Sequence, residues 1–171
     1  MHQKSKFLKG VIAVIFALSV PSLAAAATVT RILDGDTLEV TEGKTTLRVR
    51  LINIDAPEKS QPYGQRSRQF LSDLVKGATD VAVKAKGNDR YGRTLADVYV
   101  KKCEPACLAY HLNSEMVKSG MAWAYRYKGK ASSPAMQELE QIAHKSRLGL
   151  WQDDHAIEPW QWRQLQKQKD N

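Results

Sequence analysis

Five short segments rich in valine, isoleucine, leucine and threonine lie between residues 29 and 100, and most of them alternate apolar with polar side chains. A period of two residues indicates half-buried β-strands. Glycine with aspartate, lysine or asparagine separates several of these segments, and such pairs form tight turns. The pattern therefore predicts a small fold built on short strands. The five segments are 29–33, 37–40, 45–54, 79–85 and 93–100.

Helical periodicity occurs between and after these strands. Apolar residues recur every three or four positions over 64–76, over 108–118, and from Ser133 to near Gly149, which predicts three helices. Ser133 followed by proline is typical of a helix start, because serine caps the first turn and proline is favoured just after it. The combined pattern predicts an α+β, mainly β fold: a five-stranded barrel of the OB type with three helices, in one domain from residue 28 to 151.

Residues 1–27 have the parts of a secretory signal peptide: a lysine-rich start, an apolar core from Val11 to Val20, and a run of small residues before Thr28. A membrane anchor is the alternative, but the apolar run is shorter than the ~20 residues that a spanning helix needs. We therefore expect an exported bacterial protein, periplasmic or secreted. The cut is expected between Ala24 and Thr28, with no membrane attachment afterwards.

The charge balance favours polyanionic partners only weakly. The net charge is +8 for the whole chain, and it falls to +5 once the three lysines of residues 1–27 are removed. A basic domain of this kind is either simply soluble or attracted to polyanions such as nucleic acid. Charge alone leaves both interpretations open.

The two cysteines, Cys103 and Cys107, enclose a Glu-Pro-Ala turn. In an oxidising compartment such a pair forms a local disulfide, and we predict one here. A free pair and a metal clip are the alternatives, although two cysteines without a nearby pair of histidines make a poor zinc site. A bridge that closes so short a loop fixes a turn more than it stabilises the fold.

The C-terminal tail, residues 152–171, carries Trp160 and Trp162 before a polar end. These tryptophans either pack back on the domain, which we favour, or form a surface for a partner. We expect the tail to be partly disordered, and its last eight residues to lack fixed structure.

Two acidic clusters interrupt the predicted strands. Asp34 and Asp36 stand in one turn, where a hairpin needs only one such residue beside its glycine. Asp55 and Glu58 follow another strand at the point where Pro57 ends regular pairing. If the two strands are neighbours, four carboxylates meet at one end of the barrel, and they repel one another unless a cation lies among them. Ca²⁺ accepts such oxygen ligands from separate loops.

Three arginines belong to the same part of the predicted fold. Arg50 points out of the strand that leads to the second acidic cluster, and Arg90 and Arg93 flank Tyr91 in a turn. Guanidinium groups bind phosphate oxygens through paired hydrogen bonds and keep their charge at any working pH. A carboxylate-bound cation beside arginines is suited to attack on a phosphodiester, because the cation polarises the phosphoryl group, a carboxylate takes the proton, and arginines stabilise the developing charge.

Four motifs, DGDT, RLINIDAPE, DRYGR and GMAWAYRY, resemble those of the staphylococcal nuclease family in the same order, from about Val29 to Trp151. The resemblance implies an OB-fold barrel with three helices. It also implies Ca²⁺-dependent hydrolysis of DNA and RNA by cleavage of the P–O5′ bond, which leaves 3′-phosphates. We expect the nucleic acid to be single-stranded or locally open, and the protein to act as a monomer.

The same resemblance implies roles for individual residues. The implied catalytic residues are Glu58 as general base and Arg50 and Arg93 as phosphate-binding groups. The implied cation ligands are Asp36 and Asp55 directly, Asp34 through water, and Ala56 through its backbone carbonyl. The implied substrate contacts are Arg90, Tyr91, Tyr125 and Tyr127. Two departures from the family pattern concern the site: Ala56 replaces a threonine, and the loop between Glu58 and Tyr63 is shorter and less rich in lysine.

A catalytically silent nucleic-acid-binding module is the main alternative, and a basic interaction domain is another. Such binding modules typically lack the carboxylates or the arginines, and this chain has both. Simpler explanations also exist for individual residues. In these explanations Asp34 and Asp36 are ordinary turn residues, and Arg93 forms a structural ion pair. Tyr125 and Tyr127 then simply cover the core.

Overall fold

The structure is a computed structural model that describes residues 27–169. The predicted signal peptide therefore lies outside the described residues, apart from Ala27. No helix within residues 27–169 is long and apolar enough to cross a membrane.

The described part of the chain contains ten strands, four α-helices and one 3₁₀ helix. The strands are β1 (Thr28–Ile32), β2 (Thr37–Glu42), β3 (Thr45–Leu51), β4 (Ile54–Asp55), β5 (Asp80–Asn88), β6 (Thr94–Cys103), β7 (Cys107–His111), β8 (Trp123–Ala124), β9 (Arg126–Tyr127) and β10 (Lys130–Ala131). The helices are α1 (Gly64–Val75), α2 (Leu112–Lys118), α3 (Pro134–Lys145) and α4 (Pro159–Lys169), and the 3₁₀ helix is Gly149–Gln152.

Six strands form the main sheet, in the order β1-β2-β3-β6-β5, and β7 also pairs with β6. Its pairs are antiparallel except for β3 and β6, which run parallel. Within residues 27–169 no ladder joins β1 to β5, so the sheet is open. The α+β, mainly β class is confirmed. The predicted five-stranded barrel with three helices differs in detail within the described residues: β7 adds a sixth strand, the sheet is not closed, and α4 adds a fourth helix.

The predicted strand over 45–54 is interrupted at Ile52 and Asn53. Asn53 has a left-handed backbone with φ of 62°, and Ile52 N donates to Ala96 O at 3.0 Å. Because Asn53 cannot continue an extended strand, β4 leaves the main sheet and pairs with β8 in a separate ladder. This break places Asp55, at the end of β4, outside the main sheet.

Residues 108–111 form a strand, which corrects the prediction of one helix over 108–118. β7 pairs antiparallel with β6, and α2 begins only after it. The predicted disulfide joins Cys103 and Cys107, with an S–S distance of 2.15 Å, at the closed end of this hairpin. Leu108, which the helical pattern assigned to the apolar face, is 56% exposed. Pairing with β6 therefore outweighs the local helical periodicity of these residues.

The helices α1 and α3 match the predictions; α1 packs against β1 and α2, and α3 packs against α2 and β8. α3 begins as expected, with Ser133 Oγ accepting a hydrogen bond from Met136 N at 3.4 Å. Side chains from the strands and from α1, α2 and α3 form one continuous core. Its fully buried members include Leu38, Val49, Leu51, Leu71, Leu112 and Met116.

The C-terminal tail is helical from Pro159 to Lys169. α4 continues to Lys169, so the polar end differs from the expectation of disorder, and its glutamines and lysines are good helix formers. Trp160 and Trp162 are half-buried, and Cζ of Arg126 lies 5.5 Å from the ring centre of Trp160. Trp160 thus packs back on the domain. α4 has one buried residue, Pro159.

Candidate active site

The turn from Asp34 to Asp36 joins β1 to β2 and lies against α1. Asp36 N donates to Asp34 Oδ1 at 3.0 Å, which holds the first carboxylate on the turn. A Cβ at Gly35 would lie 1.9 Å from Ser67 Oγ and 2.7 Å from Ala56 Cβ. Only glycine permits so close an approach, and the turn therefore meets the second acidic segment directly.

Asp36 and Asp55 are both buried and share one arginine. Arg50 Nη1 forms an ion pair with Asp36 Oδ2 at 2.5 Å, although the two groups are not aligned as a hydrogen bond. Arg50 Nη2 donates a hydrogen bond to Asp55 Oδ1 at 2.9 Å. Asp36 also accepts hydrogen bonds from Thr37 Oγ1 at 3.0 Å and from Ala56 N at 2.9 Å. The two acidic clusters thus converge on Arg50, as the sequence predicts.

The short loop after Glu58 is closed by Gln61. Glu58 N donates to Gln61 Oε1 at 3.0 Å, and Gln61 N donates to Glu58 O at 2.9 Å. A Cβ at Gly64 would lie 2.0 Å from Glu58 O, so the start of α1 packs directly on this loop. Gln61 Nε2 donates to Ile157 O at 2.5 Å. The shortened loop therefore fixes the Glu58 backbone and ties it to the segment before α4, while the Glu58 side chain is 41% exposed.

Arg163, on α4, enters the same acid cluster, although no motif pointed to it. Its Nη2 donates to Asp55 Oδ2 at 2.8 Å, and its Nη1 donates to Glu58 Oε1 at 2.7 Å and to Asp55 Oδ1 at 3.3 Å. Arg163 lies 108 positions after Asp55, and no local pattern links residues so far apart. The sequence feature that could have found it is the pair of tryptophans just before it, Trp160 and Trp162, which indicated that the tail packs on the domain.

The acid cluster contains more negative than positive groups. Arg50 and Arg163 face four carboxylates, those of Asp34, Asp36, Asp55 and Glu58. Burial, with the neighbouring Asp36 charge, raises the pKa of Asp34 to about 6. Burial also raises the pKa of Asp55, although the hydrogen bond from Arg163 acts to lower it. Burial also acts to raise the pKa of Asp36, but the Arg50 charge and the Ala56 amide outweigh it and hold this pKa below its usual range. Ionisation of the whole cluster is therefore costly.

The loop from Asp89 to Arg93 presents the other predicted basic residues. Asp89 accepts hydrogen bonds from Tyr91 N and Arg93 N at 2.9 Å and from Arg93 Nε at 2.7 Å. Arg90 Nη2 donates to Tyr91 Oη at 2.8 Å, and Tyr91 is 69% exposed. Within residues 27–169 the terminal nitrogens of Arg93 make no hydrogen bond. The ion pair with Asp89 therefore orients Arg93 and leaves its fork available.

A cavity of about 1130 Å³ joins this loop to the acid cluster. All the predicted cation, catalytic and substrate residues line it except Tyr127, which is 64% exposed and lies beside Lys128. Tyr125, 37% exposed, also lines the cavity, and α4 contributes Trp160, Trp162 and Arg163 to the lining. The structure thus brings together every predicted residue but one.

The carboxylates fit a hard divalent cation in chemistry but are not arranged as a ready site. No group of three or more Asp, Glu, His or Cys residues within 27–169 has a metal-holding arrangement. Guanidinium groups bridge Asp36, Asp55 and Glu58 instead. The donors are nevertheless all oxygen, and acid exceeds arginine, which is the donor set that Ca²⁺ prefers. A cavity that joins such acids to arginines defines a class of site suited to phosphodiesters.

Comparison with known proteins agrees with this class. A family model described as staphylococcal nuclease homologue matches residues 48–153. The chain is 48% identical over 162 residues to a micrococcal nuclease of Shigella flexneri, which covers 93% of this chain and 92% of the relative. It is 50% identical over 137 residues to protein ParB of Escherichia coli, a match that covers 79% of this chain and 77% of the relative. It is 47% identical over 140 residues to an uncharacterized endonuclease of Haemophilus influenzae, a match that covers 81% of this chain and 73% of the relative.

The chain belongs to the staphylococcal nuclease family. Two of the three relatives are named as nucleases, so nuclease activity is the class of function that the comparisons support.

Proposed function

We propose that this protein is an exported, Ca²⁺-dependent nuclease that hydrolyses phosphodiester bonds of DNA and RNA, cleaves the P–O5′ bond and leaves 3′-phosphates. The convergence of four carboxylates and the Arg50 and Arg93 side chains on one cavity of about 1130 Å³ supports the proposal most directly. The mature domain would cover residues 28–151, with 152–171 as a tail, and act as a monomer.

The cation would be held by Asp36 and Asp55 directly, by Asp34 through water and by the Ala56 carbonyl. All four residues line the cavity. When bound, the ion supplies Lewis-acid polarisation of a phosphoryl oxygen and orients a water molecule. Ala56 in place of a threonine keeps the carbonyl oxygen, so this substitution leaves the donor set unchanged.

Glu58 acts as the general base in this proposal. Its side chain is 41% exposed, so water from the cavity can reach it, and its backbone is held by Gln61. A carboxylate that takes a proton from attacking water contributes roughly 10²–10⁴ in rate. Arg50 and Arg93 stabilise the charge that develops on the phosphate, and the free fork of Arg93 is oriented for this by Asp89.

Substrate binding falls to the remaining residues of the cavity. Arg90 would contact a second phosphate, and Tyr91 and Tyr125 would contact the nucleotide, where base stacking on an aromatic ring is worth ~1–3 kcal/mol. Tyr127 lies outside the cavity and would contact only a longer strand. Because stacking needs an accessible base face, a single-stranded or locally open substrate suits these residues best.

A catalytically silent nucleic-acid-binding module is the second candidate, favoured by one observation. Arg163 pairs with Asp55 and Glu58, the residues that the reaction needs free. A module of this kind would bind nucleic acid through its arginines without cleaving it.

Nuclease assays on the oxidised chain from Thr28 onward separate the two candidates. Single-stranded DNA and RNA are incubated with millimolar Ca²⁺ and then with a chelator, and the product ends are analysed. We expect cleavage that requires Ca²⁺ and leaves 3′-phosphates. The Asp36→Asn variant is expected to require a higher Ca²⁺ concentration for the same cleavage rate. The matched control is Asp73→Asn, because Asp73 is an acid on α1 that pairs with Gln69. Binding without cleavage would contradict the nuclease proposal and favour the binding module.

A further inference from the structure

Arg163 binds the two carboxylates that the proposed reaction most needs. Its guanidinium makes three hydrogen bonds, two to Asp55 and one to Glu58, at 2.7 to 3.3 Å. Asp55 is a proposed cation ligand and Glu58 the proposed base. A guanidinium in this position neutralises the same oxygens that a cation would neutralise.

The oxygens of Asp55 have little capacity left. Oδ1 accepts from Arg50 Nη2 at 2.9 Å and from Arg163 Nη1 at 3.3 Å, and a carboxylate oxygen offers about two lone-pair sites. Oδ2 accepts from Arg163 Nη2 at 2.8 Å. A cation that binds Oδ1, or both oxygens, at the 2.3–2.6 Å typical of Ca²⁺ would therefore have to replace an arginine nitrogen.

Of the two arginines, Arg163 is the one that can leave. Arg50 lies in β3, between β2 and β6, its side chain is 14% exposed, and it also pairs with Asp36. The Arg163 side chain is 41% exposed and belongs to a terminal helix whose one buried residue is Pro159. A helix with so few buried contacts opens at a low free energy compared with a central strand.

We propose that Arg163 is an internal occupant of the cation site, so that a divalent cation and α4 compete for Asp55 and Glu58. The inference rests on the proposed function, because it takes these carboxylates as the cation ligand and the base. Cation binding releases Arg163 and loosens the later part of α4. The start of the segment stays attached through the Gln61–Ile157 hydrogen bond.

Calorimetric titration of Ca²⁺ at low ionic strength tests the competition. Arg163→Gln removes the competing charge and is expected to bind Ca²⁺ about tenfold more tightly than the wild type. The matched control is Lys169→Gln, which loses the same charge on the same helix at an exposed residue outside the cavity lining. Its affinity is expected to stay within about twofold of the wild type.

Hydrogen exchange on the wild-type chain tests the same competition without a substitution. We expect saturating Ca²⁺ to speed exchange of the α4 amides after Arg163 by about tenfold, while the α3 amides stay unchanged. Unchanged or slower exchange in α4 would overturn the competition.

The outcomes separate this inference from the proposed function. Equal or weaker Ca²⁺ affinity in Arg163→Gln would overturn the competition and leave the nuclease proposal standing, provided that the wild type binds Ca²⁺. The absence of Ca²⁺ binding in every variant would overturn both. Tighter Ca²⁺ binding in Arg163→Gln alone supports the competition. Equally tight binding in Lys169→Gln would show a general charge effect of α4 and overturn the competition.

Discussion

Two arginine–carboxylate assemblies in this molecule differ in how their charges balance. Arg126 and Glu140 form a one-to-one pair: Arg126 Nη2 lies 2.5 Å from Glu140 Oε2, and Nη1 donates to Glu140 Oε1 at 3.1 Å. Ala124 N also donates to Glu140 Oε1 at 2.9 Å. This pair joins α3 to β8 and β9. The acid cluster instead has four carboxylates for Arg50 and Arg163.

The difference separates a structural pair from a site. A balanced, hydrogen-bonded pair leaves no buried charge without a partner, so its loss acts on the fold. A cluster with surplus acid costs stability, as the raised pKa of Asp34 and Asp55 indicates, and such a cost is retained where a ligand needs it. Substitutions in the structural pair should therefore change stability alone, and those in the acid cluster should change activity.

The largest effect is expected from Glu58→Gln. If Glu58 takes the proton from attacking water, the turnover number should fall roughly 10²–10⁴-fold, because the amide cannot accept it. The thermal unfolding midpoint should remain close to the wild type, since this side chain is 41% exposed. Steady-state kinetics on single-stranded DNA measures the loss. Unchanged turnover would remove Glu58 from the mechanism.

Glu140→Ala is the matching change in the balanced pair, with an expected loss of about 2–3 kcal/mol in unfolding free energy. It leaves Arg126 and the Ala124 amide without their partner, and the partial exposure of Arg126 reduces the loss below that of a fully buried pair. Urea unfolding measures this free energy. The control is Glu138→Ala, because Glu138 is an exposed glutamate of the same helix. Ca²⁺ affinity should be unaffected. A stability equal to the wild type would mean that the pair contributes nothing.

Arg93→Lys is expected to lower the turnover number roughly 10–100-fold, because lysine keeps the charge but loses the two-pronged contact with phosphate. The fold should stay intact, since the loop is also held by Asp89 bonds to the backbone of Tyr91 and Arg93. Arg66→Lys, an exposed arginine of α1, is the control for the substitution itself. Wild-type turnover would identify Arg93 as a structural partner of Asp89 only.

The sequence predicted what depends on short-range patterns. The α+β class, α1, α3, the turn at Asp34 and the disulfide follow from periodicity and turn chemistry over a few residues. The helix over 108–118 was wrong in its first turn because pairing with β6 decided those residues. The open sheet was missed for the same reason, since sheet closure depends on the placement of distant strands.

The parts of the site that escaped prediction depend on long-range contacts. Gln61 reaches Ile157 over 96 positions, and Arg163 reaches Asp55 over 108. No spacing rule relates such residues, and each is ordinary in its own segment. The predicted acids and Arg50 were found because neighbouring strands carry them into register, as in the pairing of Thr37 with Arg50.

The smallest effect, a gain in stability, is expected from Asp34→Asn. The pKa of Asp34 is about 6 in the folded protein against 3.8 as the reference value, so the folded state binds the proton more tightly. The contribution of Asp34 to stability therefore falls as pH rises from about 4 to about 6, and its penalty is constant above that range. Asparagine keeps the acceptor for Asp36 N without the charge.

With chelator present, the Asp34→Asn variant should be more stable than the wild type by about 1–2 kcal/mol at pH 7, and equally stable near pH 4. Asp73→Asn, an acid outside the cluster, should show no such pH-dependent difference. A difference in unfolding free energy that does not change between pH 4 and pH 7 would mean that the surplus charge of the cluster carries no cost at Asp34.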